Sequence, residues 1–335
     1  MPVFLILLFG VLLLAVIFDF LNGFHDSANA IATSVSTRVL TPRTAVLMAA
    51  VLNLAGALSG TAVAQTVGGG LVQPDVVQPA TLIAALFAAI LWDILTWYFG
   101  LPTSSSHALL SGLVGAGIAT AGTGVILWGG LEKILVSLVL SPFIGFGLAF
   151  LVMTTLNWLV RRATPDRVTA VFSKLQILSA ISMAFSHGSN DAQKTMGIIV
   201  LALFSMGRLP DLTVPLWVMA LSATAMGLGT AFGGWRIIKT LGVRLVHLRP
   251  IHGFSAEASA AAVILTNSHL GLPISTTHVI SAAVMGVGAS KRLSAVRWGI
   301  GRQIVVAWVL TLPVCAVVAW AICALLLRLI YPSGI

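Results

Sequence analysis

The chain has 335 residues, 58% of them hydrophobic and only 8% charged, with a formal net charge of +9. Soluble domains carry about 25% charged residues, so this composition excludes a water-soluble globular protein. The positive surplus does not indicate a nucleic-acid partner either, because 14 of the 18 Lys and Arg fall in four short stretches between apolar runs. These are Arg38 and Arg43; Arg161, Arg162, Arg167 and Lys174; Arg236, Lys239, Arg244 and Arg249; and Lys291, Arg292, Arg297 and Arg302. Loops rich in Lys and Arg stay cytoplasmic, so the charge reports topology, and the expected partner is a lipid bilayer.

In chain order, the pattern predicts a broken span at 3–34 and a cytoplasmic loop. A plain span at 44–67 leads to an outer loop without basic residues, "GGGLVQPDVVQP". Two apolar segments, 80–99 and 104–121, are joined by "GLPTSSSH", and a span at 131–160 ends in the basic loop "RRATPDR". The order then recurs. A broken segment at 175–206, a plain span at 214–235 and a basic loop precede a pair at 252–271 and 275–289, joined by "GLPISTTH", and a last span at 303–328. The first run has no basic flank and no small-residue cleavage site, so it reads as a permanent span. Cys315 and Cys323 lie together in the last run and form no metal or disulfide pattern.

Each half, 1–165 and 166–335, holds five embedded segments. Five is odd, so the second half enters the membrane inverted, and the basic loops agree. The expected fold is an all-α polytopic membrane protein of two inverted-topology repeats, with broken helices, paired re-entrant or hairpin segments and about 10–12 embedded segments in all. Both termini fall on the outer side. The repeat is also legible in residues: "NGFHDSANA" at 22–30 aligns with "HGSNDAQKT" at 187–195, and "GLPTSSSH" at 100–107 with "GLPISTTH" at 271–278. Inverted repeats with polar interruptions near the midplane are the mark of secondary transporters.

Pro102 ends a preceding helix, so Ser104, Ser105 and Ser106 stand where a new one starts, as do Ser275, Thr276 and Thr277. A helix start offers free N–H groups and a partial positive charge, and hydroxyls add donors. That combination binds oxyanions without a fixed cation. Two such starts, one from each half, could face one anion. The other reading of each motif is a helix cap or an interhelical hydrogen bond.

Asp19, Asp26, Asp93, Asp191 and Glu257 all lie inside apolar segments. An ionised acid at the bilayer centre costs about 2.5–3.5 kcal/mol, so such residues mark ion or proton paths. Asp26 and Asp191 are equivalent in the two repeats, flanked by His25 and Asn29 and by Asn190 and Gln193. A carboxylate among amide oxygens suits a monovalent cation, so Na⁺ at Asp26, Asn29 and Asp191 is one reading; a lone buried carboxylate suits a proton. Asp19 reads more simply as an interfacial or structurally tied acid. Lys194 stands where the first repeat has Asn29, placed to pair with an embedded acid or to meet the anion. Gly56 with Gly60, and Gly229 with Gly233, form G-x-x-x-G pairs that allow close helix approach.

At these residues the chain resembles the inorganic phosphate transporter (PiT) family in a short bacterial-type form. The family signature G-x-N-D-x-x-N-A appears as "GFHDSANA" and, less closely, "GSNDAQKT"; its L-P-[VI]-S-x-T-H appears as "LPTSSSH" and "LPISTTH"; and "GFSAEASAA", with Glu257, is also similar. The resemblance implies import of inorganic phosphate coupled to Na⁺ or H⁺ across the inner membrane, by a homodimer. It implies phosphate at Ser104, Ser105, Ser106, Ser275, Thr276 and Thr277, with Asn190 beside them. It implies cation coupling at Asp26, Asn29, Asp191 and Glu257, to which Asp93 and Lys194 are added as embedded charges. His25 and Lys194 replace asparagines usual in the signatures, which favours H⁺ over Na⁺. A sulfate symporter of the same family is the alternative, and an anion channel a weaker one, since embedded acids oppose anion flux. No cofactor is expected. An intramembrane enzyme is not expected either: H-E-x-x-H is absent, and the adjacent Ser and His of "SSSH" are poorly placed as nucleophile and base on one helix.

Overall fold

The computed structural model describes residues 2–330, with side chains from residue 5 onward. The first run, α1 (Pro2–Ser36), is one unbroken helix. α2 (Pro42–Ala57) and α3 (Ala62–Gly70) form a pair bent by 67°. α4 (Pro79–Phe99) turns back through an extended link into α5 (Ser105–Ala121), and α6 (Trp128–Leu159) follows. The order then recurs. α7 (Pro165–Ser205) is unbroken, and α8 (Leu216–Phe232) meets α9 (Trp235–Lys239), which a π-helical turn prolongs, at a bend of 58°. α10 (Pro250–His269) and α11 (Thr276–Lys291) make the second hairpin, and α12 (Trp298–Ile330) comes last.

Among the described residues, five helices, α1, α4, α6, α7 and α12, are long and apolar enough to cross a membrane, and the two bent pairs bring the number to seven. Large apolar side chains point outward, Phe143 being 71% and Leu216 75% exposed. Contiguous surface of this kind needs apolar surroundings. The polar residues lie inside. Elements of the two halves interlock: α1 packs on α8 and α2 on α7, while α5 packs on α12 and α11 on α6.

Two sequence expectations are corrected here. The breaks expected within 3–34 and 175–206 are not there: "LNGFHDSANA" and "HGSNDAQKT" are helical throughout. Neither stretch contains proline, and their polar residues recur at helical spacing on one face, so no unwinding is needed to turn them inward. The breaks fall in the runs read as plain spans, at 58–61 and 233–234. At each bend a side chain from a long helix satisfies the backbone N–H groups of the helix that restarts. Gln193 Oε1 accepts from Val63 N at 2.8 Å, and Ser27 Oγ accepts from Gly234 N at 2.6 Å. The second correction concerns "RRATPDR", which is a loop only as far as Thr164. Pro165 occupies the first helical turn with Asp166 beside it, a helix start favoured by proline geometry and the helix dipole. Arg167 and Lys174 therefore belong to α7.

The G-x-x-x-G pairs act within the subunit. A side chain on Gly229 would collide with the Phe20 carbonyl of α1, and one on Gly56 with the Phe185 carbonyl of α7. Of the second glycines, Gly60 lies in the break after α2 and Gly233 ends α8, with a φ of 70° that L side chains avoid.

Candidate functional site

α1 carries Asp19, Asn22, Asp26, Asn29 and Thr33 at intervals of three and four, which places them on one face. α7 presents Gln176 and Ser179, three apart, and about two turns further on His187, Asn190, Asp191 and Lys194, related by intervals of three and four. All of these are buried. The two stripes meet the starts of α5 and α11.

Ser104 and Ser275 are N-caps. Their hydroxyls accept from His107 N at 3.1 Å and His278 N at 3.2 Å. That use leaves Ser105, Ser106, Thr276 and Thr277 directed into the interior. The two starts are adjacent: Ser106 Oγ donates to the Ile274 carbonyl at 3.2 Å, and the His107 and His278 rings stack with centroids 4.5 Å apart.

The acids of the two signatures meet at the start of α11. Thr277 Oγ1 donates to Asp26 Oδ2 at 3.0 Å, and Thr276 Oγ1 donates to Asp191 Oδ2 at 2.7 Å. Asn29 Nδ2 donates to both threonines, at 2.9 Å to Thr277 and 3.3 Å to Thr276. Ligand atoms of Asp26, His187 and Asp191 lie within 4.8 Å of one another. Lys194 Nζ forms an ion pair with Asp191 and donates to Ser106 Oγ at 2.5 Å and the Ile274 carbonyl at 2.7 Å. All three ammonium hydrogens therefore have acceptors.

Hydrogen-bond directions locate protons around the two histidines. His25 Nε2 lies 3.1 Å from Thr96 Oγ1, a hydroxyl that can donate or accept there. A neutral His25 with its hydrogen on Nε2 would turn a lone pair toward Asp26 Oδ1, 2.7 Å from Nδ1. A neutral His25 with its hydrogen on Nδ1 donates to Asp26 instead, and the Thr96 hydroxyl then donates to Nε2. The second case differs. Thr230 donates to the Met226 carbonyl and accepts from Asn53 Nδ2, so Asn53 Oδ1 accepts from His187 Nδ1 at 3.0 Å. His187 Nε2 then stands 3.1 Å from Asp191 Oδ2 without a well-formed hydrogen bond. A neutral imidazole offers a lone pair there, and two acceptors at that distance suit a shared cation or proton.

Other residues singled out in the sequence have different surroundings. Asn190 holds the second hairpin: Nδ2 donates to Ser268 Oγ and the Leu272 carbonyl, and Oδ1 accepts from Ile274 N. Asp93 is buried on α4 beside Ser105 and near His25; neither its oxygens nor Ser105 Oγ has a hydrogen-bond partner among the described residues. Glu257 belongs to a separate cluster. It accepts from Thr33, from Ser34 at 2.7 Å, from Ser179 at 2.5 Å and from Gln176 at 3.3 Å. Thr33 is seven residues beyond Asp26, two helical turns or about 10 Å along α1. The sequence reading gave no role to Asn53, His187, Thr33, Ser34, Gln176 or Ser179. The polar stripe at intervals of three and four on α1 and α7 was the signal that could have found those on the two helices.

The comparisons with known proteins agree with this architecture. The profile described as "Phosphate transporter family" matches residues 22–166 and 160–319. A "Probable low-affinity inorganic phosphate transporter" of Rhizobium meliloti (strain 1021) is 50% identical over 319 residues, covering 95% of each chain. Another so described, from Bacillus subtilis (strain 168), is 43% identical over 99% of this chain and 100% of the relative. Among solved structures, one described as "The sodium-dependent phosphate transporter" superposes with a TM-score of 0.87 at 28% identity, over 97% of this chain and 99% of the other. With the profile matching across both halves and relatives this similar from end to end, the chain belongs to the phosphate transporter family, a family of integral membrane transporters and not of enzymes.

Proposed function

We propose that the chain is a secondary active symporter that imports inorganic phosphate together with protons, binding the anion between the starts of α5 and α11. One observation carries the reading: the Thr276 and Thr277 hydroxyls donate to Asp191 and Asp26. A hydroxyl has a single hydrogen to donate. While the carboxylates hold it, it cannot serve phosphate. Neutralising the acids frees both hydrogens for the anion, so cation and phosphate enter together. The Lys194 ammonium, which already balances Asp191, favours H⁺ over Na⁺. Phosphate is favoured over sulfate because it retains an O–H near neutral pH. The buried Asn29 Oδ1 and the Asp93 oxygens are acceptors without partners among the described residues, and only a protonated anion can donate to them.

The test is uptake of radiolabelled phosphate and sulfate into proteoliposomes under imposed H⁺ and Na⁺ gradients in turn. Phosphate should follow an inward proton gradient in Na⁺-free buffer and stop on adding a protonophore. Strict Na⁺ dependence with no response to the proton gradient would overturn proton coupling; preferential sulfate uptake would overturn the substrate.

The same reading has residues 1–165 and 166–335 as inverted repeats, with both termini outside. The recurring element order and the interlocked packing support it. Cysteines placed at Thr164 and Pro210, both exposed, should then be labelled by an impermeant reagent from opposite sides of the membrane, Thr164 from the cytoplasm. Labelling from one side would remove the inversion.

A further inference from the structure

Asp19 is left out of the site described above. It lies two helical turns before Asp26 on the same face of α1, about 10 Å away. It is fully buried, and neither carboxylate oxygen has a hydrogen-bond partner among the described residues. The Thr195 hydroxyl of α7 and the Ser222 hydroxyl of α8 stand beside the carboxylate, close enough to act on it, yet neither makes a well-formed hydrogen bond. Asn22 lies one turn further along the same face. Its Oδ1, Thr195 Oγ1 and Ser222 Oγ are likewise without partners, and all three residues are exposed by 2% or less. The nearest charges, Asp191 and Lys194, are committed to each other. A buried carboxylate whose nearby cation is committed elsewhere and which has no well-formed hydrogen bond is costly, and an embedded acid is functional by default. Five buried oxygens from three helices, two of them sharing the single negative charge of one carboxylate, form an all-oxygen set suited to a hard cation, and one negative charge matches one positive charge.

We propose that Asp19, Asn22, Thr195 and Ser222 form a second site for the coupling cation, separate from the Asp26–Asp191 centre. The proposal rests on the symport reading. The site holds one positive charge, carried by a proton on the carboxylate or by Na⁺ among the oxygens. It lies where α1, α7 and α8 meet, so its occupation holds together helices from both halves of the chain. One more cation then accompanies each phosphate than the Asp26–Asp191 centre alone would carry.

The experiment measures limiting phosphate accumulation in proteoliposomes with the membrane potential clamped at zero. Each coupled monovalent cation multiplies that limit by its gradient. With an inward gradient of about tenfold, worth about 1.4 kcal/mol per cation, Asp19→Asn should lower the limit about tenfold while still transporting phosphate. Running H⁺ and Na⁺ gradients separately identifies the ion. Ser222→Ala keeps the carboxylate and serves as the second variant should Asp19→Asn fail to fold. It should raise the cation concentration for half-maximal uptake about tenfold and move that for phosphate much less. Wild-type limits and cation dependence in both variants overturn the second site. Failure of the symport reading shows differently, as a wild type that accumulates nothing, and overturns both.

Discussion

Replacing Lys194 by methionine is expected to remove most folded protein from detergent extracts, and adding Asp191→Asn to restore much of it. Lys194 is only 1% exposed, yet its ammonium holds a place in the interior. It does so because Asp191 balances the charge while Ser106 and the Ile274 carbonyl take its other hydrogens. Removing one member of a buried pair strands the other charge, at about 3–5 kcal/mol. Whole domains are stable by only about 5–15 kcal/mol. Lys194→Met also removes one of the two donors to the Ile274 carbonyl at the hairpin that starts α11, so loss should extend to the site itself. Melting curves of the two single variants and the double variant test this. The double should melt closer to wild type than either single, as expected of a coupled pair. A Lys194→Met variant that melts with the wild type would show that the ammonium is dispensable.

Thr276→Val and Thr277→Val should each weaken phosphate about tenfold to a hundredfold, and Thr→Ser at the same positions should restore it. Valine matches threonine in shape, so the change removes a hydroxyl and leaves the helix start in place. A hydrogen bond to a charged partner contributes about 1.5–3 kcal/mol, which converts to that range of affinity. The hydroxyls also donate to Asp191 and Asp26 and accept from Asn29. Their loss should therefore loosen coupling as well as binding, and downhill phosphate entry should survive better than uphill accumulation. Half-saturation constants and accumulation limits, measured on the same vesicles, separate the two effects. Unchanged phosphate affinity in both valine variants would mean that the hydroxyls serve the acids alone.

Much of the architecture was legible in the residues. Composition and run length announce a polytopic helical membrane protein, because a bilayer demands long apolar helices whatever the packing. The hairpins at 100–107 and 271–278 were equally plain. Proline followed by Ser or Thr acts within one turn, and the structure begins α5 at Ser105 and α11 at Thr276 accordingly. The paired acids could be named from the repeat, since equivalent positions share chemistry even before their contacts are known.

What the sequence could not supply were the contacts between distant residues. Asp26 and Thr277 are 251 positions apart, and Glu257 and Thr33 are 224. No local spacing says that the first pair shares a centre with Asp191 while the second forms its own cluster. The breaks were misplaced for the same reason. A polar, glycine-containing stretch such as "NGFHDSANA" looks locally like an interruption, but packing against α8 keeps it helical. The runs that do bend, at 58–61 and 233–234, bend where Gln193 and Ser27 reach across from other helices to satisfy the exposed N–H groups. The sequence by itself determined what the membrane and the single helical turn enforce. The tertiary structure alone decided which buried charges meet and where a helix may end, because burying a charge or a free N–H is tolerable only when a partner arrives from elsewhere in the chain.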